Sequence, residues 1–408
     1  MISNLIIVNE ITHLASVSAI SNPFSIRTRH SGFAFFFLLQ NLPRGMLLSV
    51  VPLQALHLMD NTKDTSTLLF MVAIGGIIAA LGQPLIIKRI GVYRAFLVSC
   101  AAMILSAVLM SFDQVYLFSI GLFSHTFAIA AAEVTLTLLV LARIPRSELT
   151  SFEPVRILAT VLALTIGPFL GVYLGQVILH ELPFIISAVS MLISLIYFHR
   201  LGLQRLEIRT STNTSVNPVK HLLRYFKQSR LRLAYGLVMA RSCWWTMFII
   251  YTPIYASQTG LGELFGAAIV SFGTAWTLSV PLWGWVARQY GVRRLLTVAF
   301  IVTGSLCFSV FFLAEMPVVA SVLLVFTALG TTMLDGVGNV LFFRAVRPFE
   351  LSEMSAVFVT YRDTGQILTP GLFAILLSYF ALPVVFLTAG VWMFSAAWFC
   401  RFVPKRLR

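Results

Sequence analysis

Apolar residues run in long blocks along this chain, and the breaks between the blocks are short and polar. Twelve blocks can be drawn, at residues 33–58, 67–86, 94–112, 114–142, 154–178, 181–200, 232–257, 264–286, 294–313, 316–342, 354–379 and 381–402. About 20 apolar residues in a helix cross the roughly 30 Å of hydrocarbon in a bilayer, so each block is a candidate span, and the longer ones tilt or protrude. The break at 201–231 is by far the longest, which sets the plan as six spans, a hinge loop and six spans. The expected fold is an all-α membrane protein with twelve transmembrane helices in two pseudo-symmetric six-helix bundles. The expected boundaries are a cytoplasmic tail at 1–32, a bundle at 33–200, a cytoplasmic linker at 201–231 with a basic amphipathic segment, a bundle at 232–402 and a cytoplasmic tail at 403–408.

The two halves repeat in charge as well as in hydropathy. The segment from Pro84 through Gly91 to Arg94 recurs from Gly284 through Gly291 to Arg294, 200 residues later. Beyond it the offset becomes 202, pairing Glu133 with Asp335, Glu148 with Glu350 and Pro168 with Pro370. A duplicated apolar half with acids at equivalent depths is the pattern of a repeat-built membrane transporter.

Composition agrees, and charge adds an orientation. Hydrophobic residues make up 58% of the chain and charged residues 11%, with mean hydropathy +0.90; a soluble domain carries about 25% charged residues. A net charge of +14 would suggest nucleic acid in a soluble protein. Here twenty-four of the 29 Lys and Arg residues fall in loops on one side, and the opposite side holds Lys63 against six acids. The positive-inside rule then puts both termini and the linker in the cytoplasm and leaves no basic patch for nucleic acid.

Cys100, Cys243, Cys307 and Cys400 all lie in apolar blocks without metal-ligand spacing, so buried structural thiols are expected, with no metal and no disulfide framework. Residues 1–30 lack a basic n-region and carry Glu10, so they do not read as a signal peptide; they are a cytoplasmic tail or reflect a start assigned too far upstream. In the linker, Leu222, Leu223 and Phe226 face away from Lys220, Arg224 and Lys227. That pattern fits a helix lying on anionic headgroups, or a solvated linker carrying topology charge.

Twelve spans in two halves, with the Gly91 loop between spans 2 and 3 and the Gly291 loop between spans 8 and 9, resemble the major facilitator superfamily over residues 33–402. The family loop reads Gly-x-x-x-Asp-Arg-x-Gly-x-Arg/Lys-Arg/Lys. This chain keeps Gly91, Gly291, Arg89, Arg94, Arg293 and Arg294, but has Lys88 and Arg288 at the acid and Pro84 at the first glycine. The resemblance implies a latch from this loop to the start of span 11. With the loop acid replaced by a base, the expected form is Lys88 with Glu350 or Glu353, and Arg288 with Glu148 or Glu153; acids at helix starts are favourable in any case. Gly167, Pro168 and Gly171 resemble the family's antiporter element, where small residues permit close packing and proline bends the span. The family's span 4 arginine aligns with His125, readable as a proton relay or as a hydrogen-bonded structural histidine.

Seven charges remain inside spans: Arg44, Glu133, Arg156, Arg241, Asp335, Arg362 and Asp363. A charge at mid-bilayer costs about 2.5–3.5 kcal/mol in translocon assays, so each should face the bundle interior and find a partner. Arg44 and Arg241 stand on spans 1 and 7, which line the cavity in this superfamily, and an arginine fork suits a carboxylate or phosphate. They bind substrate, or they are neutralised by Glu133, Asp335 or Asp363. Glu133 and Asp335 are the candidates for proton coupling; the alternative is static pairing with Arg156 and Arg362. Tryptophans such as Trp244 and Trp245 line a cavity, anchor at the interface or pack in the bundle.

No P-loop, nucleotide-binding glycine turn or nucleophile motif is present, which disfavours an enzyme, and no cofactor is implied. The leading expectation is secondary, proton-coupled transport of a small organic solute across the bacterial inner membrane, with Gly167-Pro168 leaning towards efflux. Uptake or exchange of an organic anion (a carboxylate, an organophosphate or a metal-chelator complex) is the rival. A transporter-fold sensor or lipid-handling protein is the third class. Expected partners are the solute, protons and membrane lipids, with no nucleic acid, and the chain is expected to act as a monomer.

Overall fold

The computed structural model describes residues 26–143, 149–200, 218–347 and 350–404. Glu148 and the expected tails and loop at 1–25, 201–217 and 405–408 lie outside the described residues. Within them the chain is helical, without a strand. The long helices are α1 (Ile26–Met59), α2 (Thr62–Met110), α3 (Val115–Arg143), α4 (Leu149–Tyr173) and α5 (Leu182–Arg200). After the short α6 (Pro218–Lys227) come α7 (Ser229–Gln258), α8 (Glu263–Ala275), α9 (Val280–Tyr290), α10 (Val292–Phe312), α11 (Pro317–Ala345), α12 (Leu351–Val359), α13 (Tyr361–Leu376) and α14 (Val384–Phe399). Helix is the form lipid allows, because it pairs every backbone group within its own segment. The helix α1 starts at Ile26, inside the segment expected as tail.

Ten described helical segments are long and apolar enough to cross a membrane. That count agrees with twelve crossings. Helix α2 is continuous by hydrogen bonding but turns at Gly91 into two spans. The eleventh span is broken at Thr360 into α12 and α13, each too short to qualify alone. Gly91 has φ 81° and Gly291 φ 91°, the left-handed region that a Cβ disfavours, so the two repeated glycines make the same turn. Ile78, Leu81 and Leu85 on α2 are largely exposed, an arrangement stable against lipid and not against water.

The chain forms two compact units. The first is drawn from residues 1–50 and 71–215. Its core is aromatic: Phe96 and Phe198 stack with centroids 4.4 Å apart, beside Phe36, Phe37 and Phe152. The second unit comprises 51–70 with 216–408. It holds Trp244 stacked on Phe248 at 5.0 Å and Phe342 on Phe358 at 4.2 Å. It also takes in the turn between α1 and α2, where Ser66 bonds the Tyr251 hydroxyl at 2.7 Å, Gln258 donates to Thr62 at 2.8 Å and His57 meets Glu263 at 2.6 Å. All four cysteines are free and buried, as the sequence indicates.

Candidate functional site

In the first unit, α1 and α4 cross with backbones in contact. A Cβ on Gly45 would collide with the Ala163 carbonyl, one on Gly167 with Gly45, and one on Gly171 with Met46. The Gly167-Pro168-Gly171 element therefore seats α1 at the point where it carries Arg44. From there Arg44 reaches across to α3 and donates to Glu133 Oε1 at 2.8 Å. Both are open, with 29% of the arginine and 49% of the glutamate side chain exposed. A carboxylate half-exposed in the middle of a span faces water, since lipid would impose the full desolvation cost. Nearby on the same helix, His125 is buried and its Nδ1 has no hydrogen-bond partner.

The second unit repeats the pair with different surroundings. Arg241 on α7 meets Asp335 on α11 at 3.0 Å, with 8% and 23% exposure. The guanidinium also donates to the Tyr361 hydroxyl at 3.1 Å and lies over that ring at 5.6 Å. Trp245 donates its indole N–H to the other carboxylate oxygen at 3.1 Å. Trp244 is fully buried beside it, so this aromatic pair splits into one packing residue and one ligand of the acid. Burial makes this pair expensive to break, because either partner left alone would be a charge in low dielectric.

The sequence reading expected Glu133 and Asp335 to serve coupling or to pair within their halves with Arg156 and Arg362. The structure pairs them with Arg44 and Arg241, the neutralisation alternative also drawn from the sequence for these two arginines, so the two classes of candidate form one constellation in each unit. The reason is geometric: spans 1 and 4, and spans 7 and 10, face each other inside their bundles. Arg156 lies with its guanidinium over the Phe37 ring at 5.6 Å. Arg362 contributes its carbonyl to Ser242 at 3.4 Å, and it and Asp363 belong to the first turn of α13.

For the latch residues, Lys88 and Arg288 are exposed at the ends of their helices. Glu353 and Glu350 begin the eleventh span as expected, and the partner found for them is one the sequence reading missed. Arg224 of α6 forms an ion pair with Glu350, which is 3% exposed, and reaches Glu353 at 3.4 Å, while Gln228 donates to Glu350 at 3.3 Å. Tyr225 anchors the same helix, buried against Phe342 and Tyr235 and donating to the Leu231 carbonyl at 3.1 Å. Burial, followed by the Tyr235 hydroxyl, pushes the Tyr225 phenol up, so it remains a donor. The adjacent pair Arg224-Tyr225 was the available signal; the amphipathic pattern drew attention to Leu222, Leu223 and Phe226, which stay exposed. Glu153 lies in α4, with its side chain outside the described residues. Among the described residues no His, Cys, Asp and Glu group could hold a metal.

The family model of the Major Facilitator Superfamily matches residues 33–370. Three solved structures share the fold at low identity. The nucleoside transporter NupG superposes with TM-score 0.75 at 12% identity, covering 92% of this chain and 99% of that one. The D-xylose-proton symporter gives 0.73 at 13%, covering 93% and 98%. The peptide transporter POT in complex with sulfate gives 0.71 at 12%, covering 98% of each. Among curated protein sequences, none matches the chain.

Proposed function

The chain belongs to the Major Facilitator Superfamily, and on that premise we propose that it is a proton-coupled secondary transporter of a small organic solute bearing a carboxylate or phosphate. It is a multi-pass membrane transporter and not an enzyme; the coupling and the solute class are the proposal. The observation that carries it is the repeated arginine–acid pair, Arg44 with Glu133 and Arg241 with Asp335. Protonating either acid leaves an arginine inside the membrane without its counter-charge, and an anionic group on the solute is what restores it. Proton and anion therefore load together, and deprotonation returns the arginine to its acid and expels the solute. Glu133, being open, accepts the proton from water; Asp335, held by Arg241 and Trp245, follows. The relatives include a proton symporter, which accords with this reading.

We place it in a bacterial inner membrane, and the charge pattern that orients the loops supports both termini being cytoplasmic. Gly167 and Gly171 also have a local packing task against α1, as the sequence indicates. The test is thermal unfolding of the purified protein with panels of organic anions and lipophilic cations, on wild type and Arg44→Ala. A ligand at 100 times its Kd stabilises by about 2.7 kcal/mol. Stabilisation by anions that disappears in Arg44→Ala, with flux in vesicles driven by an inward proton gradient and abolished in Glu133→Gln, supports the proposal. Stabilisation by cations alone, unchanged in Arg44→Ala, overturns it.

A further inference from the structure

Away from the ion pairs, a groove of about 790 Å³ opens in the second unit where α7, α13 and α14 meet. The last helix packs chiefly on α10 and α7, leaving α13 and α14 apart with α7 as the floor. Leu233, Leu237, Leu368, Trp392 and Phe399 give it an apolar interior. Its chemistry changes abruptly at one end. Arg230 and Arg232 stand exposed at the mouth, and among the described residues no acid lines the groove. Arg401, stacked over Trp398 at 3.6 Å, is at the same end of α14 as the lining residue Phe402. Gln228, the residue before α7, gives its side chain to Glu350 and leaves the first amides of α7 without a side-chain cap, which adds partial positive charge there.

An apolar slot with cationic groups at one end matches an amphiphile with an anionic head. The length decides which one. From Arg230 to Cys243 the floor runs thirteen residues of helix, roughly 20 Å at 1.5 Å per residue, which spans one leaflet's share of the roughly 30 Å hydrocarbon core. Leu222, Leu223 and Phe226 of α6, the helix that precedes α7 in the chain, are exposed as well. We infer that this groove binds one anionic phospholipid of the leaflet next to the linker, with its phosphate at Arg230 and Arg232 and an acyl chain along α7 towards Cys243. The inference is independent of the transported solute, since none of these residues belongs to the arginine–acid pairs.

Gly236 provides the decisive variant. It lines the groove, and a Cβ on it would meet nothing within 4 Å, so a larger side chain fills the slot without a clash at its base. The experiment uses the full chain, delipidated in detergent, with native mass spectrometry and thermal unfolding. Probes are phosphatidylglycerol and phosphatidylcholine with identical acyl chains, and inorganic phosphate. Wild type is expected to bind phosphatidylglycerol at least tenfold more tightly than phosphatidylcholine. Arg230→Gln/Arg232→Gln should bring that preference below twofold, Arg230→Lys/Arg232→Lys should keep most of it, and Gly236→Trp should weaken both lipids. Equal binding of the two lipids by wild type overturns the inference, as does phosphatidylglycerol binding untouched by the glutamine and tryptophan variants. Full competition by inorganic phosphate would identify a free-anion site instead, and a dimer that dissociates in Gly236→Trp would make a second copy the occupant. Should Gly236→Trp not fold, the arginine variants decide the matter.

Discussion

Neutralising one acid in each repeat, Glu133→Gln and Asp335→Asn, separates the two ion pairs by energy. In Asp335→Asn the shape is kept and Trp245 still finds an acceptor, but Arg241 stays 8% exposed with its counter-charge gone. Removing one partner of a buried pair costs about 3–5 kcal/mol. Asp335 retains 23% exposure and Tyr361 still accepts from the guanidinium, so the lower end, about 3 kcal/mol, is expected. For Arg44 and Glu133, at 29% and 49% exposure, solvent screens the pair and the loss is about 0–1 kcal/mol. A unit of roughly 200 residues melts about 2–4 °C lower per kcal/mol, so Asp335→Asn should lose about 6–12 °C and Glu133→Gln under 4 °C. The assay is thermal unfolding in detergent at one pH, followed by near-UV circular dichroism. Adding Arg241→Met to Asp335→Asn should recover much of the loss, because no buried charge then remains. Equal melting of the two single variants, or no recovery in the double variant, would refute the reasoning.

Gly171→Ala should destabilise by about 1–3 kcal/mol despite its better helix propensity, because the new methyl meets the Met46 backbone. Gly82→Ala, where a Cβ meets nothing within 4 Å, should be neutral or gain up to about 1 kcal/mol in the same unfolding assay. Arg224→Ala should cost about 2–3 kcal/mol by stranding the buried Glu350, and Glu350→Gln in that background should restore most of it; absence of rescue would show that the contact is incidental. The four buried thiols should resist a membrane-impermeant maleimide in the folded protein and react after denaturation in sodium dodecyl sulfate, read by mass spectrometry.

The sequence by itself determined the helical membrane fold, the family and the list of charges that needed explaining. Those features are local: a bilayer demands about 20 apolar residues per crossing whatever the neighbouring helices are. The glycine turns were legible too, because Gly91 and Gly291 recur in matching loops and the left-handed backbone favours glycine. Partnership was legible only as a short list of alternatives for Arg44 and Arg241, and not at all for Arg224. Arg44 and Glu133 are 89 residues apart, and Arg224 and Glu350 are 126 apart, so only the packing of helices in space decides that they meet. Hydropathy also could not say that α13 and α14 would part over α7, because a gap between helices belongs to no single segment. Burial was likewise tertiary: two equivalent arginine–acid pairs in a repeated sequence end up one open and one closed, since depth depends on what surrounds each pair.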